Sequence, residues 1–389
     1  MDTSATGELE RPLHWPAHSN ELPREIFARA DVYRRELERL FRGPIWHPVA
    51  QVAEIPEPGC FKTWDIGEVP IIISRGMDGE IRVFINACAH RGTALETKPY
   101  GKNNVFHCPY HRWTYKHSGE LKHCPRRELF PKDFKEEDYS LRAVRSENFY
   151  GIIFATLHPD TPPLLEFLGE VRESLKKLMR GDGRMILLGA QRTRFNCNWK
   201  YYADQEGFHA PLLHAAFKLL NWQSGEGHRI TTDYGHSVYE YQTSPYKDSG
   251  FLKDGSVVMS KKPERIGNRV GKIAPATTFS DHLDTLTLRF MRPRGVHDVE
   301  VHYTYFAHAD EDAEYVQHRI RQSSNLLGPC GLISLEDGAV FKRLEFSTQA
   351  GGRPKFLAGV DTGDLHHGTQ NDEAGNLLQW AAYRRLMGL

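Results

Sequence analysis

The chain contains 389 residues, enough for one large or two ordinary domains, and its 50 basic residues balance its 50 acidic ones. This balance, without long runs of one sign, argues against a nucleic-acid or anionic-membrane partner, and no apolar stretch approaches the length of a membrane span. Six cysteines do not make a disulfide framework in a chain of this size, and the polar N-terminus lacks the order of a signal peptide. These features predict a protein of the reducing cytoplasm.

The first part of the chain is predicted to begin with a helix and to continue mostly as strands. Apolar residues recur with a helical period over 23–41, and Gly43-Pro44 ends the pattern. Residues 45–157 have the composition of β-strands. The stiff polar segment 158–163 contains three prolines, so we place a domain boundary there.

The second part of the chain mixes both kinds of element. The patterns predict an amphipathic helix over 164–179, a strand over 185–196 and further strands over 230–305. Within the last range, 285–291 and 299–306 alternate well around a Pro/Gly turn and predict an antiparallel pair. Helices are expected at 311–327, 334–346 and 376–387.

Two short segments each offer one thiol and one imidazole. The first reads Cys88-Ala89-His90-Arg91-Gly92 and the second Cys108-Pro109-Tyr110-His111. Zinc would take all four ligands at one ion, but its usual loops pair Cys with Cys and His with His. A Rieske [2Fe–2S] cluster needs two Cys on one iron and two His on the other, which two mixed loops supply. The pattern favours the Rieske cluster, with zinc as the alternative.

The flanks of these segments predict strands that would hold them. Two β-rich runs, 69–74 and 80–85, surround a Gly/Asp turn and form a hairpin that leads into the first loop. After the second loop, 113–115 and the turn at 117–121 predict another strand pair.

The two loops together resemble the Rieske domain of ring-hydroxylating oxygenase α subunits. The resemblance rests on Cys88-x-His90-Arg91-Gly92 and on Cys108-Pro-Tyr-His111-x-Trp113-x-Tyr115. Arg112 departs from it, because the family usually has Gly there, and we expect its side chain to be tolerated at the surface. The resemblance implies an α+β protein with a β-rich Rieske domain and a catalytic domain of the helix-grip, START-like kind, in which helices cover an antiparallel sheet. The implied division is an N-terminal helical segment packing on the catalytic domain (1–43), a Rieske domain (44–160) and a catalytic domain (161–389).

A second metal site is predicted around two further histidines. His209 and His214 are about 140° apart on an ideal helix, but Pro211 between them would bend it and could bring both imidazoles together. A mononuclear non-haem Fe(II) needs two His and one carboxylate, with positions left open.

The third iron ligand is expected from a distant segment. The spacing Gly328-Pro-x-Gly331 before two adjacent carboxylates resembles the family's carboxylate-ligand segment. Matching the glycines assigns Asp337 as the ligand, with Glu336 as the alternative.

An acidic residue before the first iron histidine is implied to bridge the two metal centres of neighbouring subunits. Glu206 stands at the matching position, where Asp is more usual, and Asp204 is the alternative because the run before His209 is two or three residues shorter than in many relatives.

The family's activity follows as an expectation. The chain would be a terminal oxygenase that takes electrons from a ferredoxin or reductase, and only indirectly from NAD(P)H, and uses O₂ to mono- or cis-dihydroxylate an aromatic substrate in aromatic catabolism. The alternatives are a Rieske N- or O-demethylase, an electron-transfer protein without the mononuclear iron and a zinc-binding protein. A homotrimer (α₃) or an α₃β₃ assembly with a small β subunit is implied. A substrate carboxylate could pair with an arginine or lysine, although each candidate is more typical of a surface charge: Arg289, Arg292 or Lys218.

Overall fold

The computed structural model describes residues 8–16, 20–204, 227–242, 250, 252–262, 268–361 and 363–389. The helices in these ranges are α1 (Ala30–Glu36), α2 (Leu164–Leu168), α3 (Val171–Leu178), α4 (Trp199–Ala203), α5 (Ala313–Gln322), α6 (Leu332–Ser347) and α7 (Ala374–Met387). The strands are β1 (His47–Gln51), β2 (Cys60–Ile66), β3 (Val69–Arg75), β4 (Ile81–Ile85), β5 (Tyr100–Lys102), β6 (Phe106–His107), β7 (Thr114–Tyr115), β8 (Leu121–His123), β9 (Ala143–Phe149), β10 (Ile152–Thr156), β11 (Met185–Phe195), β12 (Gly227–Thr231), β13 (Ser237–Tyr241), β14 (Asn268–Ile273), β15 (Thr277–His282), β16 (Thr285–Gly295), β17 (Asp298–His308) and β18 (His367–Thr369). The predicted α+β class is confirmed.

The first half of the chain forms two antiparallel sheets that end at the Cys–His loops. A seven-stranded sheet has the order β1-β10-β9-β4-β3-β2-β5, and a small three-stranded sheet has the order β6-β7-β8. The predicted hairpin is β3 paired with β4, from Ile71 opposite Ile85 to Arg75 opposite Ile81. Strand β4 ends at Ile85, shortly before Cys88, and β6 ends at His107, directly before Cys108. The ends of these two strands therefore position both loops.

The second half of the chain is organised on an eight-stranded antiparallel sheet. Its order is β11-β17-β16-β15-β14-β13-β12-β18, and the predicted strand pair is β16 with β17. Side chains alternate between the two faces of a strand. On one face Phe290 meets Trp64 of β2, with ring centroids 5.7 Å apart, so this face packs on the first half of the chain. The other face carries Arg289 and packs towards α4 and α6.

The predicted helix over 164–179 is two helices instead of one. Gly169 lies between α2 and α3 with φ +55° and ψ −140°, a backbone conformation that glycine tolerates and that a right-handed helix cannot continue through. The apolar period continues across the break because both helices bury their apolar sides, including Leu168 and Val171. The sequence pattern alone therefore predicted the buried face but not the interruption.

The N-terminal segment packs on elements from the second half of the chain. The rings of Phe27 and Tyr201 stack at 4.3 Å, and buried Glu36 pairs with Lys200 at 2.7 Å. Glu36 also accepts hydrogen bonds from Trp199 at 2.8 Å and from Tyr383 at 2.6 Å. These donors surround the buried carboxylate, which would be costly to bury alone. No helix among the described residues is both long and apolar enough to cross a lipid bilayer.

Candidate functional site

The two Cys–His loops have the same backbone fold. In the first, the Gly92 N–H donates to the Cys88 carbonyl at 2.8 Å; in the second, the Arg112 N–H donates to the Cys108 carbonyl at 3.1 Å. Each cysteine N–H in turn donates, at 2.8 Å, to the carbonyl five residues later. The loops are therefore equivalent turns, although the spacing from cysteine to histidine differs by one residue.

The fourth residue after each cysteine has a left-handed backbone. Gly92 has φ +74° and Arg112 has φ +60°. A residue with a Cβ pays about 1–2 kcal/mol for this conformation, and glycine does not. Arg112 is exposed, so its side chain reaches solvent without a steric clash. Arg112, which stands where the family usually has Gly, is therefore accommodated with local backbone strain.

The two loops bring their four predicted ligand residues together in two pairs, thiol with thiol and imidazole with imidazole. The Cys88 and Cys108 side chains are buried, at 3% and 1% exposure, whereas His90 is exposed. The imidazole rings of His90 and His111 lie 4.7 Å apart. The thiols thus form the inner side of the arrangement and the imidazoles form the outer side.

The chemistry of this set fits a two-iron cluster. Nδ1 of His111 is buried without a hydrogen-bond partner among the described residues, which is unusual for a buried polar atom. Burial raises the pKa of the Cys88 thiol, so a thiolate there requires a cation, which a metal supplies. Within the described part of the chain, no three His, Cys, Asp or Glu side chains converge on one point that could hold a metal ion. Two pairs on two irons fit this arrangement better than four ligands on one zinc.

Aromatic rings support the imidazole side of the set. His90 stacks on Trp113 with centroids 4.8 Å apart and planes 6° apart, and Tyr110 stacks on His111 at 3.8 Å. Trp113 is buried among the rings of Phe130, Phe134 and Tyr139. These contacts limit the orientations that the imidazoles can adopt.

Asn86 closes the first loop, and sequence reasoning missed it. Its side-chain oxygen accepts from the N–H groups of Leu95 at 2.9 Å and Glu96 at 3.2 Å, and its amide donates to the Glu96 carbonyl at 2.7 Å. Asn86 is buried directly after β4. An asparagine at a strand end is a known turn-forming signal, and it was available in the sequence.

The second predicted metal site is only partly described. His209, His214 and Glu206 lie outside the described residues, as does Lys218. Helix α4 begins before them at Trp199, and the side chain of Asn198 caps it by accepting from the Lys200 N–H at 3.1 Å.

Asp337 lies on the buried face of α6. Ser334, Asp337 and Phe341 are spaced three and four residues apart and are all buried, as expected for one side of a helix. Glu336 is only half-buried. Burial therefore distinguishes the two carboxylates, and the inward-facing one is Asp337.

The face of α6 that carries Asp337 packs on a group of tyrosines. Phe341 lies 5.5 Å from the ring of Tyr202, and the Tyr202 hydroxyl donates to the Tyr303 hydroxyl at 3.2 Å. Ser334 also contacts the Tyr303 hydroxyl. Residues on both sides of Asp337 along the helix thus meet the same group.

Asp204, the alternative bridging residue, binds the C-terminal helix. Its carboxylate accepts from Asn376 at 3.1 Å and from the indole N–H of Trp380 at 3.0 Å. Burial raises the pKa of Asp204 to about 6, although Lys272 and these two donors oppose the shift. The carboxyl group is therefore engaged within its own chain.

Comparison with known proteins gives two family matches that together cover most of the chain. Residues 45–132 match the Rieske [2Fe-2S] domain, and residues 179–358 match the catalytic domain of the ring hydroxylating alpha subunit. The chain is 30% identical to the anthranilate 1,2-dioxygenase large subunit of Burkholderia cepacia, over 97% of this chain and 96% of that protein. It is 31% identical to the large oxygenase component of salicylate 5-hydroxylase from a Ralstonia species, over 84% and 85%.

Solved structures share the fold. Naphthalene 1,2-dioxygenase from a Rhodococcus species superposes with a TM-score of 0.81 at 23% identity, over 94% of both chains. A quaternary ammonium Rieske monooxygenase superposes with a TM-score of 0.76 at 20% identity, also over 94% of both.

The strand-delivered Cys–His loops and the adjoining helix-covered sheet define a Rieske protein with a second, catalytic domain. This chain belongs to the ring-hydroxylating oxygenase α-subunit family. It is a Rieske-type oxygenase whose cofactors are a [2Fe–2S] cluster and a mononuclear iron.

Proposed function

We propose that this chain is the terminal oxygenase component that hydroxylates an aromatic substrate with O₂, using electrons from a ferredoxin or reductase. The observation that carries the proposal is the pairing of two buried thiols with two less buried imidazoles on equivalent loops. NAD(P)H would serve only upstream, through the reductase. Both single hydroxylation and cis-dihydroxylation are compatible with this role.

Four residues are proposed to hold the cluster: Cys88, Cys108, His90 and His111. The two buried cysteines would hold the inner iron and the two histidines the outer one. Exposure of His90 gives the cluster an edge at the protein surface, where another protein could exchange electrons with it. The pKa of His90 is lowered by partial burial and by the nearby His111 and Arg91, which favours the neutral imidazole that binds metal.

Three residues are proposed to hold the mononuclear iron: His209, His214 and Asp337. Burial of Asp337 supports its choice over Glu336. With the cluster and the iron bound, the site would supply single electrons and the activation of O₂. Asp337 would hold its carboxylate in one orientation because the neighbouring turns of α6 are packed, and Phe341 and Tyr202 would exclude water from that side.

Glu206 is proposed as the acid that links the two metal centres of neighbouring subunits. The carboxylate of Asp204, the alternative, already accepts two hydrogen bonds from α7 of its own chain. A carboxylate that remains available to both histidines suits a bridging role better.

An aromatic substrate is supported by the relatives of the chain. Relatives that match over most of its length include proteins named for anthranilate, salicylate and, in a Comamonas species, terephthalate, and others named for biphenyl and chlorobenzene. The protein named for terephthalate is 28% identical over 97% of this chain. These names concern those proteins, and they guide the choice of compounds to test here.

We further propose a trimeric ring, α₃ or α₃β₃, and the division of the chain at 43/44 and 160/161. The contacts of Phe27 and Glu36 with residues 199–201 and 383 support grouping the N-terminal segment with the catalytic domain. The exposed ring of Phe346 at the end of α6, 89% accessible, is the kind of apolar surface that an interface covers.

The test is metal analysis and turnover of the purified protein. We expect three irons per chain, two in the cluster and one mononuclear, together with a Rieske EPR signal. Incubation with O₂, a ferredoxin–reductase pair and NADH should give hydroxylated products from aromatic acids. Zinc in place of iron would contradict the proposal, and release of formaldehyde from N- or O-methyl compounds alone would identify a demethylase.

A further inference from the structure

Arg289 on β16 is an unusual residue of the eight-stranded sheet because its charged side chain is buried. It is only 8% exposed, so the expectation of a surface charge was wrong for this residue. A buried guanidinium is normally paired with a carboxylate, because an unpaired charge is costly to desolvate. In the described part of the chain, Arg289 has no carboxylate within ion-pair distance, and its Nε has no hydrogen-bond partner.

The other buried arginines show that this is unusual here. Arg29 pairs with Asp31 at 2.5 Å, Arg229 with Asp372 at 2.9 Å and Arg319 with Glu311 at 2.5 Å. Arg289 instead makes one long hydrogen bond, 3.5 Å from Nη1 to the Tyr202 hydroxyl. It also lies 5.2 Å from the centre of the Tyr303 ring. Hydroxyl and ring contacts stabilise the cation without neutralising it.

Two further polar groups beside Arg289 have no hydrogen-bond partner within the described ranges. Thr278 of β15 lies directly opposite Arg289, and Ser280 lies opposite Thr287, so all these side chains share one face of the sheet. The hydroxyl oxygens of Thr278 and Ser280 are buried without hydrogen-bond partners among the described residues. The Nε edge of the guanidinium and the two hydroxyls thus lie on the same face of the sheet, and each can make a further hydrogen bond.

This polar group lies next to the residues around Asp337. Arg289 is opposite Tyr303 on β17, and Tyr303 contacts Ser334, one turn before Asp337 on α6. Tyr202, which Arg289 contacts, packs on Phe341, one turn after Asp337. Arg289 and the turns of α6 on either side of Asp337 therefore contact the same two tyrosines, Tyr202 and Tyr303.

We propose that Arg289, with the hydroxyls of Thr278 and Ser280, binds the carboxylate of an aromatic acid and thereby selects this class of substrate. The inference rests on the proposed function and adds the substrate class to it. A carboxylate accepts hydrogen bonds at both oxygens and matches the planar fork of a guanidinium, so it would satisfy the open donors and neutralise the buried charge together. A neutral arene could do neither.

The test measures binding without turnover. The iron-loaded protein is titrated anaerobically, without a reductant, by calorimetry with benzoate, 2-aminobenzoate and 2-hydroxybenzoate, and with benzamide as the neutral analogue. At least one acid should bind, and Arg289→Gln should weaken it by roughly 10–100-fold, the effect of losing a charge-assisted hydrogen bond. Affinity for benzamide should change by less than about threefold.

Matched variants distinguish a loss of carboxylate binding from a loss of folding. Arg292→Gln is the control, because Arg292 points to the opposite face of the same strand and pairs with Glu300 at 3.4 Å and with Asp65. It should leave acid binding unchanged. Arg289→Lys should recover part of the affinity, and Ser280→Ala should weaken acid binding by roughly 2–10-fold even if Arg289→Gln does not fold.

The outcomes also separate this inference from the proposed function. Acid binding that is unaffected by Arg289→Gln, or no acid binding at all, would overturn the carboxylate subsite while leaving oxygenase activity on neutral arenes possible. Arg289-dependent acid binding without any O₂-dependent product would support the subsite and count against the proposed oxygenase function.

Discussion

The hydroxyl of Tyr115 lies 3.1 Å from Sγ of Cys88, and both side chains are buried. The backbone N–H of Ala89 donates to the same hydroxyl oxygen at 3.1 Å. A cysteine sulfur that binds a metal carries no proton, so with the cluster bound the Tyr115 hydroxyl would donate to Cys88 Sγ. Burial raises the pKa of Tyr115, so the group remains a proton donor at all ordinary pH values.

Replacing Tyr115 with Phe should lower the reduction potential of the cluster. A hydrogen bond to a sulfur ligand favours the electron-rich reduced state. Its loss, about 0.5–1.5 kcal/mol, corresponds to roughly 20–60 mV for one electron. A spectroscopic redox titration measures the shift. Tyr139→Phe is a suitable control, because Tyr139 packs on Trp113 rather than on a ligand sulfur; an equal shift in both variants would exclude a specific effect of the hydroxyl.

Replacing Asp337 with Ala should remove the mononuclear iron and leave the cluster in place. The expected iron content falls from three to two per chain, and turnover falls by more than about 10³-fold because O₂ is no longer activated at a bound metal. Glu336→Gln is the matched neighbour and should retain both iron and activity. If Glu336→Gln lost the iron instead, the assignment based on burial would be wrong.

Asp204 should make the stability of the protein depend on pH. Its pKa rises from an ordinary 3.8 to about 6 on folding. A raised carboxyl pKa means that the folded state favours the protonated form, so this contribution is complete below about pH 4 and is lost as pH rises through 6. Asp204→Asn keeps the oxygen that accepts from Asn376 and Trp380. Urea unfolding should therefore show the variant gaining about 1–2 kcal/mol relative to the parent at pH 8 compared with pH 5.

The exposed carboxylate of Asp182 provides the control for that experiment. Its hydrogen bonds with Arg184 lower the pKa of the Asp182 carboxyl, the opposite direction to Asp204. Asp182→Asn should therefore show no gain at the higher pH. A matching gain in both variants would indicate a general charge effect rather than burial of Asp204.

The buried ion pair of Lys62 and Glu54 should stabilise the folded state at the seven-stranded sheet. Their charged groups are 2.8 Å apart, and Tyr100 also donates to Glu54 at 2.7 Å. Lys62→Met would leave the carboxylate without its cation and should cost about 3–5 kcal/mol of unfolding free energy. Adding Glu54→Gln should restore most of the loss. Urea unfolding followed by cluster absorbance measures both, and a loss of less than about 1 kcal/mol in the single variant would contradict this role.

The sequence by itself determined the family and predicted the cluster ligands. Cys88, His90, Cys108 and His111 lie in two short runs, and the chemistry of a mixed thiol–imidazole pair is readable from a few adjacent residues. The strands that hold these runs were also predictable, because period-two alternation and turn residues are local signals. Most helices and strands were therefore expected close to where they occur.

Only the tertiary structure decided which charged residues are buried and what they meet. Arg289 and Arg292 are three residues apart on one strand, and the sequence does not distinguish them. Because side chains alternate along the strand, Arg289 contacts Tyr202 of α4 on one face, whereas Arg292 pairs with Asp65 on the other. Asp337 and Glu336 are adjacent, and the rotation of α6 buries the first. Burial and pairing depend on partners that are distant in the chain, such as Tyr303 opposite Arg289 and α7 against Asp204. Long-range packing sets these relationships, and no local pattern carries them.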